Sequence, residues 1–277
     1  MDGAPVKYGE TVDFEGSATG GTSPYTYEWF SDVDGLLGVG PSISTTLSDS
    51  QREGQILNHT VTLRVTDDNG LSAVSNVTIA VLPLAVADLR KLGLDSPVWL
   101  FDAIVSADFH VLGGDIFYLE SDDESFGIRV DKPGHALSNG MRANVTGVLK
   151  VNSDRERYID ADWAAQNGTG TVDPVGMNNR TLGGGPDGVQ EGVKDGTGLN
   201  NIGLLVTTFG RFTYLASHLF TLDDGSGVSV KCFVETSQPT DPGWGYVAVR
   251  GVSSCKMISG ELQRFIRVQS WDDVVPL

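Results

Sequence analysis

Apolar and polar positions alternate along most of the chain, and helical spacing is almost absent. Thr11-Val12-Asp13-Phe14 alternates, and Tyr25 to Trp29 alternates again, which puts Tyr25, Tyr27 and Trp29 on one face. Thr60 to Val65 turns Val61, Leu63 and Val65 inward, and Ser75 to Val81 supplies the next strand. Between them lie turn-forming strings at Gly20–Pro24, Ser31–Gly35 and Asp67–Gly70. Short strands separated by such turns predict an immunoglobulin-like β-sandwich over residues 1–83, closed by Leu82-Pro83-Leu84 because proline does not continue a central strand. Ala85 to Leu92 is the best helix candidate, about two turns long.

Beyond it the pattern repeats itself. Residues 115–130 return at 218–230, so that Phe117 is answered by Phe220 and Tyr118 by Thr221. Arg157-Tyr158-Ile159 is matched by Arg264-Phe265-Ile266, and Trp163 by Trp271. A period of about 105 residues is too long for a solenoid and describes two small β domains. Each has about five strands and long hairpins, the make-up of a five-stranded Greek-key barrel. The barrels are expected at 84–175 and 202–277. Residues 176–201, with Gly183-Gly184-Gly185 and few apolar side chains, form a linker or lie along a barrel. The fold class is therefore all-β, a sandwich followed by two barrels.

Two resemblances sharpen this reading. Ser23-Pro24-Tyr25-Thr26-Tyr27-Glu28-Trp29, followed by Leu63-Arg64-Val65-Thr66-Asp67-Asp68-Asn69-Gly70, closely resembles the PKD family of immunoglobulin-like domains. That family's acidic Gly-Asp-Gly turn is met only loosely, by Asp32-Val33-Asp34-Gly35. The resemblance implies an extracellular spacer or adhesion module without catalysis. The repeated unit is similar to the OB-fold domains of secreted bacterial multidomain proteins. The similarity rests on a leading helix, Phe117-Tyr118-Leu119, an acidic turn, Gly127-Ile128-Arg129-Val130, and the Gly-led alternation from Gly140 to Leu149.

Charge narrows the partners. The chain carries 36 acidic residues against 19 Lys and Arg, a net charge of -17. Nucleic-acid binding gains affinity by replacing condensed counterions with basic side chains, so nucleic acid and anionic membranes are disfavoured as partners. No apolar run approaches the roughly 18 residues of a membrane span, so no membrane insertion is expected. The first residues lack the basic and apolar regions of a signal peptide. Cys232 and Cys255, 23 residues apart, read either as two buried thiols or as one disulfide between neighbouring strands, and the exterior signals favour the disulfide. Asn58, Asn76, Asn144, Asn167 and Asn179 all sit in Asn-x-Ser/Thr sequons, more than chance supplies, which supports a secreted or cell-surface glycoprotein.

Candidate chemistry is sparse. The four histidines do not pair with a nucleophile in any familiar spacing, and neither a nucleophile elbow, a His-Glu-x-x-His pair nor a phosphate loop is present. The reading is non-enzymatic. Asp32/Asp34 and Asp67/Asp68 are the leading candidates for a structural Ca²⁺ ion, since each turn gathers carboxylates and carbonyls; the ordinary alternative is turn chemistry. Trp244, in Pro242-Gly243-Trp244-Gly245, is the aromatic expected to be exposed for a ligand such as a glycan. The leading expectation is a structural or adhesion protein that engages copies of itself head to tail, a subunit of an extracellular filament. The alternative is a binding module, for glycan or extracellular nucleic acid, attached to a larger secreted enzyme.

Overall fold

Inward-facing Val, Leu and aromatic positions at period two build sheets throughout, and the computed structural model describes them over residues 3–48, 57–110 and 115–277. Contacts divide the chain into two units, Met1–Leu84 and Ala85–Leu277.

The first unit is a sandwich of β1 (Val6–Lys7), β2 (Thr11–Glu15), β3 (Thr26–Ser31), β4 (Gly35–Val39), β5 (Ser42–Thr46), β6 (Leu57–Thr66) and β7 (Ser72–Leu82). One sheet has the order β1-β7-β6-β3-β4 and the other pairs β2 with β5. Trp29 of the large sheet packs on Phe14 of the small one, ring centroids 5.5 Å apart, and its indole N–H donates to Gly40 O. Val61, Leu63, Ile79 and Val81 complete this core. A buried aliphatic side chain of this size contributes about 1.5–3 kcal/mol.

The second unit opens on a short 3-10 helix, Val86–Lys91, whose Val86 and Leu89 are buried. The predicted α-helical turns are thus wound more tightly. The first barrel follows with β8 (Pro97–Phe109), β9 (Ile116–Glu120), β10 (Gly127–Asp131), β11 (Met141–Val151) and β12 (Arg157–Thr169), closed in the order β8-β9-β10-β12-β11. Every pairing is antiparallel except β10 with β12. The second barrel uses β14 (Leu205–Ala216), β15 (Leu219–Asp223), β16 (Ser229–Val234), β17 (Tyr246–Ile258) and β18 (Glu261–Val268) in the same order, again with one parallel pair, β16 with β18. Two short strands, β13 (Val175–Gly176) on β14 and β19 (Val274–Pro276) on β17, are added to it.

The registers repeat at the centre of each barrel, with Cys232 rather than Val230 standing where Val130 stands in the first copy. Phe117 faces Val130, which faces Ile159; Phe220 faces Cys232, which faces Ile266. All six are fully buried. Outside this core the copies part. Trp163 stays on β12 opposite Thr146, whereas Trp271 begins a 3-10 helix after β18.

The disulfide expectation is corrected. Cys232 and Cys255 are free thiols. Cys232 points into the second barrel among Phe220, Val230 and Ile266, while Cys255 belongs to a separate cluster with Val193, Ile202 and Leu262. The two side chains serve different cores, so adjacency in the repeat does not bring the sulfurs together.

Residues 177–204 pack against both barrels, although they carry few apolar groups. Arg264 of the second barrel donates to Leu182 O and Lys194 O, and Gln190 accepts from Arg157 N and donates to Arg155 O of the first. Asp187 reaches Arg90, 3.2 Å away, and both Arg90 and Arg157 lie over the ring of Phe126. The barrels also touch directly. Ala107, Phe109, Ile116 and Tyr118 of the first pack with Leu205 and Val252 of the second. At Gly127 and Gly203 the two backbones meet so closely that a Cβ on Gly127 would lie 2.2 Å from Gly203 O.

Candidate ligand-binding groove

The outer face of β14 carries Thr207, Phe209, Arg211 and Thr213, the solvent side of an alternation whose inner side is Val206, Thr208, Gly210 and Phe212. A polar face with one phenylalanine in its middle is unusual, and Phe209 is 61% exposed. Its surroundings follow from how β14 changes partners. At Val206 and Thr207 it pairs with β13; from Arg211 onward it pairs with β15. Thr208, Phe209 and Gly210 lie in the fork between these neighbours, and the fork leaves a groove of about 590 Å³. Such a volume lies within the range of small-ligand sites.

Gly176, Met177 and Asn178 form one bank of the groove, Asp224, Gly225 and Ser226 the other, and Thr207, Phe209 and Ala248 the base. Asn179, fully buried, ties the two banks together. Its Nδ2 donates to Leu222 O and Val228 O, and its backbone N donates to Asp224 Oδ2, 2.6 Å away. Gly210 allows the turn to approach, since a Cβ there would stand 2.8 Å from Asp223 O. Burial raises the Asp224 carboxyl, but hydrogen bonds from Ser226 and from Asn179 N outweigh it and hold it below the usual carboxylate range. The groove therefore presents an anionic acceptor, an amide, a threonine hydroxyl and an aromatic face within a few residues of each other.

The same face continues across the sheet. Phe209 stands opposite Ala248, which stands opposite Val275 of β19. In the next row Arg211 stands opposite Tyr246, 58% exposed, and Leu277 N donates to Tyr246 O. Thr207 stands opposite Arg250.

The residues singled out from sequence are placed elsewhere. Trp244 is half-buried against the end of the second barrel, with its ring 5.6 Å from Phe212 and 6.1 Å from Trp271. It packs onto that core and is only partly exposed, which corrects the expectation of a fully exposed loop aromatic. Asp32 accepts from Thr60 N, and Asp34 from Ser48 N and Oγ. Asp67 accepts from Thr22 N, Asn69 N and Leu71 N, chiefly the first, and its pKa is lowered accordingly; Asp68 is exposed. The two acidic turns adjoin opposite ends of the β3–β6 pair, where Ser31 faces Val61 and Thr26 faces Thr66. Among the described residues no group of three His, Cys, Asp or Glu side chains is placed to hold a metal ion.

His59 is buried beside Ser31 Oγ, 2.8 Å from Nδ1, and Asp34, 3.5 Å from the same nitrogen. Ser31 Oγ also accepts from Val33 N and Asp34 N, so this trio shapes a turn. Of the sequon asparagines, Asn58, Asn76 and Asn167 are exposed. Asn144 and Asn179 are buried, and the Asn144 carbonyl oxygen accepts from Asp102 N. Tyr246 belongs to the repeat aromatics that the sequence offers as a stacking platform, whereas Phe209 was missed; its signal was an aromatic on the Thr207/Arg211/Thr213 side of a strand.

No protein-family model matches the chain, and no curated protein matches it in sequence. A search of solved structures finds the Bacteroides ovatus SGBP-B of a mixed-linkage glucan utilization locus, solved in complex with a mixed-linkage heptasaccharide. It is 16% identical, over 97% of this chain and 69% of that one, with a TM-score of 0.26. Among the described residues no helix is long and apolar enough to cross a membrane.

Proposed function

We propose that this chain is a non-catalytic carbohydrate-binding module of a secreted or cell-surface protein, and that the groove beside Phe209 holds the glycan. The observation that carries the reading is Phe209, a solvent-facing aromatic ring at the base of a groove whose banks are hydrogen-bonding groups. A pyranose has an apolar face of C–H groups that suits the negative face of an aromatic ring, and a rim of hydroxyls that suits Asn178, Thr207 and Asp224. The net charge of -17 turns away polyanions and is indifferent to an uncharged sugar.

The scaffold fits the same reading. Strand order β8-β9-β10-β12-β11, with the third and fifth strands parallel, and its repetition from β14 to β18, support two OB-fold domains. Such barrels bind oligosaccharides and oligonucleotides. In the first unit, Trp29 on Phe14 and the Asp67 turn support a PKD-like sandwich acting as a spacer.

Calorimetric titration of the full chain with soluble uncharged polysaccharides tests the proposal. The native chain is expected to bind saturably, and Phe209→Ala to lose at least about tenfold in affinity with an unchanged circular dichroism spectrum. A variant that binds as well as the native chain overturns the site.

A further inference from the structure

The face that begins at the groove does not end at Phe209. Tyr246 lies on the adjacent strand, diagonal to Phe209 across Ala248, and is nearly as exposed. Diagonal neighbours on antiparallel strands are about 7–8 Å apart. A single pyranose cannot stack on both rings at that separation, whereas consecutive sugars of one chain can. Ala248, small and half-buried, leaves a trough between the rings, and Val275 borders it on β19. Arg211 and Arg250 flank the trough on the outer face. Their guanidinium groups are planar, multiple donors, well placed by type to hydrogen-bond hydroxyls on both sides of a stacked sugar.

From this arrangement we infer that the ligand is an uncharged, linear oligosaccharide segment that runs across the strands, one sugar in the groove against Phe209 and a later sugar of the same chain against Tyr246. The inference rests on the glycan reading of the groove and adds to it a minimum chain length, a direction and a second contact. Two aromatic contacts linked through one ligand act together, so affinity rises with length until the second ring is covered and then levels off. An uncharged chain is favoured over a uronate-bearing one because Asp223 stands directly opposite Arg211 and Asp224 lines the groove, which places carboxylates where a polyanion would lie.

The experiment is titration of the full chain with β-linked gluco- and manno-oligosaccharides from monosaccharide to hexasaccharide, with oligogalacturonates of the same lengths alongside. The expected result is weak binding of the shortest sugars and a rise to a plateau with length in a neutral series. Tyr246→Ala should lower affinity for the longest oligomer about tenfold and leave the shortest binder unchanged, and Tyr246→Trp should restore it. Phe209→Ala should weaken every length. If length has no effect and Tyr246→Ala binds the hexasaccharide like the native chain, the extended ligand is overturned while the groove stands. Tighter binding of the oligogalacturonates overturns the uncharged class. If no neutral sugar of any length binds, the groove reading itself fails.

Discussion

Leu205, the first residue of β14 in the second barrel, donates its backbone N–H to Glu120 Oε1 of the first barrel, 2.5 Å away. The junction between barrels thus contains a wholly buried carboxyl, and a second buried one, Glu156, accepts from the hydroxyls of Tyr118 and Ser254 on the two sides. Neither contact shows as a hydrophobic pattern. Each nevertheless links one barrel to the other.

Glu120 makes the junction sensitive to pH. Burial pushes its pKa up from 4.5 to about 7, while the Leu205 hydrogen bond acts in the opposite sense. A carboxyl with a raised folded-state pKa binds its proton more tightly when folded. Its contribution is therefore fully present below about pH 4.5 and is lost as pH rises through about 7. The size is about 3 kcal/mol across that window. Glu120→Gln keeps an acceptor for Leu205 N and cannot ionise. Melting curves from pH 5 to 8 should show the native protein losing stability relative to this variant as pH rises, and parallel curves would refute the assignment.

The Gly127–Gly203 contact leaves no room for a side chain. A Cβ on Gly127 would overlap the Gly203 carbonyl, and both partners are backbone, so nothing can swing aside. Gly127→Ala should cost about 1–3 kcal/mol in chemical denaturation by forcing the barrels apart. Gly134→Ala, at an open left-handed position with φ 73°, should cost less, through backbone strain alone. Equal losses would mean that the barrels do not press on each other at Gly127.

The internal echo made the barrel cores readable. Phe117 with Phe220 and Ile159 with Ile266 occupy equivalent positions because alternation places one face of a strand inside and the echo supplies the register twice. Residues 177–204 were not readable in this way, because their few buried apolar side chains, Leu182, Val193, Ile202 and Leu204, follow no strand period and the rest of their packing uses backbone carbonyls held by Arg264, Gln190 and Asn201. Hydrogen bonds of that kind have no sequence period. The groove was half readable. Phe209 breaks a polar face, but the fork that opens beside it depends on β13, two residues long, pairing with β14. Trp244 misled because Gly-Trp-Gly looks like a loop tip, whereas the indole folds back onto Phe212.

Both cysteines should behave as inert thiols. Burial raises the Cys232 and Cys255 pKa values far above the usual thiol range, so little thiolate forms at neutral pH. Iodoacetamide should label neither in the native protein and both after denaturation without reductant. A mass that shows one cross-link, or rapid native labelling, would contradict the positions described for them.

Asn179 ties the groove together, and its amide cannot serve two purposes. Nδ2 donates to Leu222 O and Val228 O inside the protein, and an N-linked glycan would occupy the same nitrogen. Protein made in a glycosylating host should therefore carry sugar, if anywhere, at Asn58, Asn76 or Asn167, and mass mapping should find Asn179 and Asn144 bare. Asn179→Ala removes the side-chain donor to two carbonyls, Leu222 O and Val228 O, and should cost about 2 kcal/mol. Asn179→Asp should cost more, because a carboxylate in that position faces both carbonyl oxygens and stands near Asp224. The extra loss should shrink in acid as the new carboxyl takes up a proton, so denaturation at pH 4 and pH 7 separates the two variants. If the aspartate variant is as stable as the native chain at pH 7, Asn179 does not bridge the banks, and the groove needs another explanation for its shape.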